Sequence, residues 1–121
     1  MKKLFTVVLV VAGLQGCSTT PVTAQGAQSV PQSRIAEKFN DGEGKVRVTF
    51  LRDAGLFGSA CSFDIKIDQE LAVVLKAGEK ADVFVPAGSR TLSATIDSFL
   101  CPQELVSHTT DLKIGQPEVY R

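Results

Sequence analysis
The chain has 121 residues, enough for one domain, and its 13 basic and 13 acidic side chains cancel. No net field steers it toward nucleic acid or anionic lipid, and no basic run is interleaved with aromatics as a phosphate-tracking surface requires. It carries one histidine and three cysteines, with no Cys-x-x-Cys pair, so neither a metal nor another cofactor is expected.

Met1-Lys2-Lys3 is a short cationic start, followed by residues 4–14, which carry one hydroxyl and no charge. As a helix this run spans about 16 Å, roughly half of a hydrocarbon core of about 30 Å. It is therefore expected to be the apolar region of a secretory signal rather than a transmembrane anchor. Removing Lys2 and Lys3 with that signal leaves 11 basic against 13 acidic side chains, a faintly acidic mature protein.

Leu14-Gln15-Gly16-Cys17 comes next. It resembles the lipobox of bacterial lipoproteins, with an aliphatic residue at −3, a small residue at −1 and the cysteine at +1. Gln15 departs from the usual Ala or Ser at −2. The resemblance implies a signal peptide over residues 1–16, cleavage before Cys17, and a diacylglycerol on its sulfur, often with a third acyl chain on the new amino terminus. Each buried methylene adds about 0.8 kcal/mol of membrane affinity, so two or three chains hold far more firmly than one. Ser18 is not the aspartate associated with inner-membrane retention, which implies the outer membrane with the domain facing the periplasm.

Residues 18–44 are poor in large apolar side chains and rich in Ser, Thr, Gln, Gly, Ala and Pro. Such a stretch is expected to be a flexible tether, its 27 residues spanning roughly 30 Å as a coil. Within it, Ser33 is placed to cap a short helix whose Ile35 and Phe39 share a face.

The folded domain is expected over residues 45–121. Val46, Val48 and Phe50 alternate with Arg47, Thr49 and Leu51, and Cys61, Phe63, Ile65 and Ile67 alternate with Ser62, Asp64 and Lys66. Asp68-Gln69 suits a tight hairpin, although Gln69 is a poor residue for positive φ. Leu71 to Leu75 is apolar throughout and predicts a strand buried on both faces, in a filled core. Residues 81–85 and 91–96 make two further strands around a Pro86-Ala87-Gly88 turn, and residues 105–114 and 118–120 supply weaker ones. About seven short strands argue for an all-β fold, a small antiparallel β-sandwich.

Four features add a resemblance: the Phe50-Leu51-Arg52 strand end, the Gly55-Leu56-Phe57-Gly58 loop, the strand from Phe63 to Asp68, and Val85-Pro86-Ala87-Gly88-Ser89-Arg90-Thr91-Leu92. In these the chain resembles the small β-sandwich domains of bacterial lipoproteins of uncharacterised function (the DUF2846 type), and more remotely PEGA domains. Asp68-Gln69 stands where those domains usually carry Asp-Gly. The resemblance implies a fold and no activity.

With Cys17 given to lipid, Cys61 and Cys101 are expected to pair in an oxidising periplasm, a staple that a small core needs. Ser107, His108 and Asp111 are the residue types of a hydrolase triad, but strand neighbours point to opposite faces. Asp64, Asp68, Asp82 and Asp97 show no calcium-loop spacing. No catalysis is expected. Leu56 and Phe57 sit between two glycines, and Phe99 and Leu100 just follow a strand. They form either an apolar patch that docks on an envelope protein or a plug folded back on the sandwich. The function expected is a membrane-anchored, non-catalytic accessory or binding lipoprotein acting by protein–protein contact. The alternative is an inhibitor, immunity or exclusion lipoprotein that blocks an incoming enzyme or transfer apparatus, and a ligand carrier would need an internal cavity.

Overall fold
Alternation and turn chemistry together make the β3–β4 hairpin, Phe63–Ile67 and Glu70–Leu75. Asp68 and Gln69 both take positive φ, 48° and 70°, the pair of left-handed residues a two-residue hairpin of this hand requires. Asp68 is held there by its carboxylate: Oδ1 accepts the Thr91 N–H at 2.9 Å and Oδ2 accepts Arg90 Nη1 at 3.1 Å. These bonds offset the strain of placing Gln69, which has a Cβ, in the left-handed region.

The computed structural model describes residues 23, 25–54, 61–96, 101 and 104–121. The remaining strands are β1 (Gln28–Ser29), β2 (Lys45–Leu51), β5 (Glu79–Pro86), β6 (Gly88–Ile96), β7 (Glu104–Leu112) and β8 (Glu118–Tyr120). They form two four-stranded sheets, ordered β1-β5-β2-β8 and β4-β3-β6-β7. The fold is an all-β sandwich of eight described strands, one more than expected. Two pairs in the first sheet, β1 with β5 and β2 with β8, are parallel, and the other pairs are antiparallel. The chain changes sheet between β4 and β5 and again between β5 and β6, where Gly88 takes a φ of 115° that a side chain would resist.

The core lies between the sheets. Val46, Val48 and Phe50 of β2 and Ala81, Val83 and Val85 of β5 face Ile65 and Ile67 of β3, Ala72, Val73 and Leu75 of β4, and Leu92 and Leu112. Among the described residues two polar side chains are buried, and both are satisfied: Thr49 donates to Asp82 Oδ1 at 2.5 Å, and Arg52 donates to the carbonyls of Cys61 and Leu75 while lying over the Phe63 ring.

Three expectations need correction. The segment read as tether down to residue 44 is folded from about Ala27 onward: β1 pairs with β5, and Val30, Ile35 and Phe39 enter the core. The short helix is two separate 3-10 turns, Gln32–Arg34 and Glu37–Phe39, and Ser33 lies inside the first instead of capping it. The third concerns β4, which is an edge strand and is not buried on both faces, since Leu71 is 48% exposed. Ala72 has no opposite number in β3, so a bulge turns both Ala72 and Val73 inward and Leu71 outward.

Candidate functional site
The flank where β7 and β8 lie side by side is built by a mismatch of lengths. β7 runs for nine residues along the edge of its sheet, whereas β8, the edge facing it across the sandwich, has three. Along β7 every second side chain faces β8's sheet, starting from buried Leu112 and continuing through Thr110, His108 and Val106 toward solvent.

Polar contacts tie the flank together near its Leu112 end. Glu118 Oε1 accepts hydrogen bonds from Thr110 Oγ1 at 2.7 Å and from the Tyr120 hydroxyl at 2.7 Å. Burial, reinforced by the Glu118 carboxylate, pushes the Tyr120 phenol above its ordinary value. The Tyr120 ring stacks on Phe50, its register partner on β2, at 5.9 Å between centroids, and meets the His108 ring at 5.6 Å.

Beyond this tie the sheets are open. A cleft of about 210 Å³ has Phe50, Ile65, Leu75 and Leu92 among its lining and Val106, His108, Tyr120 and Arg121 alongside. A second cavity of about 210 Å³ shares Phe63, Ala94 and Val106 with it and reaches Ile96 and Glu104. The surface is almost wholly apolar, and Val106, 60% exposed, stands at its mouth, while the exposed Leu105 and Val119 lie on the outer faces of their strands. The filled core predicted from the run Leu71 to Leu75 holds on the β4 side alone.

Cys61 and Cys101 are joined, as expected, with their Cα atoms 6.3 Å apart. The bridge lies at the end of the second sheet where Phe63 and Glu104 both oppose Ile96. Cys17 and the four residues singled out as a patch, Leu56, Phe57, Phe99 and Leu100, lie outside the described residues. His108 faces Tyr120, while Ser107 and Thr109 leave the other face of β7, where Thr109 and Thr91 hydroxyls meet at 3.2 Å. Asp68 and Asp82 are engaged with Arg90 and Thr49. Among the described residues no three His, Cys, Asp or Glu side chains stand together to hold a metal, and no helix is long and apolar enough to cross a membrane.

Sequence reasoning missed this flank. Its trace was visible: His108 and Thr110 break an otherwise apolar inner row between Val106 and Leu112, and only a short strand follows. The cleft itself depends on which strands end up opposite each other, which no local pattern records.

Comparison with protein-family models, with curated proteins and with solved structures finds no match for this chain.

Proposed function
We propose that this chain is a lipid-anchored, non-catalytic accessory protein of the bacterial envelope that works by protein–protein contact through its β7–β8 flank. The observation that carries the reading is the open apolar cleft of that flank, lined by Phe50, Ile65 and Leu92 with the exposed Val106 at its mouth. Contiguous exposed apolar surface of this kind is what docking sites use, because covering it releases water without desolvating charge. The anchor rests on the lipobox-like Leu14-Gln15-Gly16-Cys17, and the outer membrane on Ser18 after the cysteine.

A photo-crosslinking residue at Val106, in the full-length lipidated protein within intact envelopes, tests the contact. Discrete adducts are expected there and not at Arg47, which is exposed on the first sheet. Equal labelling at both positions, or none at Val106, overturns the reading. Labelling with a fatty-acid probe is expected to mark the wild type and not Cys17→Ser.

A further inference from the structure
We propose that β7 pairs edge to edge with β7 of a second copy of this chain, in antiparallel register centred on His108. The inference rests on reading this flank as a docking surface and names its occupant.

The four sheet edges are treated very differently. β1 and β8 are two and three residues long, too short to template a partner strand. The outer edge of β4 is covered: the Ala36 N–H donates to the Ala72 carbonyl at 2.8 Å, and Arg34 Nη2 donates to the Val74 carbonyl at 2.7 Å. β7 is nine residues long, about 30 Å, and contains no proline, lysine or arginine. Among the described residues no backbone bond reaches its outer edge. A row of unpaired N–H and C=O groups at strand spacing is complementary to another strand and to little else.

The side chains argue for a second copy in particular. A two-fold axis perpendicular to the sheet pairs each residue with its mirror position about the centre. Centred on His108, this register uses all nine residues: Glu104 opposes Leu112, Leu105 opposes Asp111, Val106 opposes Thr110, and Ser107 opposes Thr109. Neither acidic residue meets a like charge, and each lies against an aliphatic side chain. The symmetry keeps both cleft-facing rows on the same side of the joined sheet, so Val106 of each copy gains a cover. Such a contact is isologous and closes at two chains.

The register makes the test sharp. Only His108 opposes itself, at the Cα spacing of about 5 Å found across a strand pair. Single cysteines are placed at 106, 107 and 108 in the full-length protein in its membrane, which is mildly oxidised and resolved without reductant. H108C is expected to give covalent dimer at least about fivefold above V106C and S107C, whose Cα atoms lie beyond the roughly 7 Å limit for a bridge. Adding V106K, an inward lysine of the kind that guards sheet edges, is expected to abolish the H108C dimer while circular dichroism stays unchanged.

Absence of the H108C dimer, or equal bridging at all three positions, overturns the pairing. If that happens while the crosslinker at Val106 still captures distinct proteins, the docking reading stands without it. If H108C dimerises and the crosslinker at Val106 captures only the second copy, strand pairing stands and docking on a different envelope protein falls.

Discussion

The two flanks of the sandwich are the same kind of object finished in two ways. On the β4 side a segment that the composition marks as polar linker folds back, seals the strand edge and sends Val30, Ile35 and Phe39 into the core. On the β7 side the inner row passes from buried Leu112 to exposed Val106 within one strand, and nothing among the described residues covers it. The difference teaches that edge protection here comes from particular contacts and is not a general property of the fold. Three aliphatic or aromatic side chains, an arginine and one backbone N–H are enough to close a flank.

The largest effect that sharpens the contrast concerns the staple beneath the open flank. Cys61 and Cys101 are 40 residues apart, and replacing both with serine is expected to lower the unfolding free energy by about 4 kcal/mol on chain-entropy grounds. Urea unfolding measures the total. Hydrogen exchange is expected to show β7 losing protection before β2 and β5, and equal loss everywhere would break the contrast.

Next in size is a direct comparison of the flanks. Phe39 is 2% exposed, so Phe39→Ala is expected to cost about 3 kcal/mol from lost burial and a cavity. Val106→Ala, on the open side, is expected to change stability by less than about 0.5 kcal/mol. Similar costs at the two positions, read from the same urea curves, would mean that Val106 is covered within a single chain.

The smallest effect is electrostatic and belongs to the sealed side. Arg34 grips Glu79 with both ends of its guanidinium, at 2.8 and 3.0 Å, and Glu79 also accepts the Lys76 N–H at 2.8 Å. Chiefly through the Arg34 hydrogen bond, the Glu79 carboxyl is held below its ordinary value of 4.5. A carboxyl whose folded pKa lies below its unfolded one stabilises the fold fully above the unfolded value, and that contribution disappears as pH falls through the folded one. Stability is thus expected to decline below about pH 4.5, with Asp68 adding to the slope, since the Thr91 N–H and then Arg90 hold its carboxyl down as well. Glu79→Gln is expected to flatten this acid limb by roughly 1 kcal/mol, measured by thermal melts from pH 3 to pH 6.

Much of the fold could be read from the chain because it is written locally. The alternation of Val46, Val48 and Phe50, the turn at Asp68-Gln69 and the partner left over for Cys61 each depend on near neighbours or on simple elimination. What escaped is written at a distance. Val30, Ile35 and Phe39 are isolated apolar residues among polar ones, and their burial follows from β1 lying beside β5 and from the Ala36–Ala72 bond. Leu71 turns outward because Ala72 is an extra residue relative to β3, a fact about registry and not about Leu71. His108 looked like the middle of a plain polar strand until Tyr120, from the other sheet, came to lie 5.6 Å away.

The early start of the fold also shortens the chain's reach. If the anchor is Cys17, only the ten residues 18–27 separate the lipid from the first strand, and even pulled taut they cover about 35 Å. A molecule on so short a leash patrols a thin layer just above the bilayer. Whatever it meets must also lie at that surface, and at that depth two copies collide by sliding within a plane instead of searching a volume.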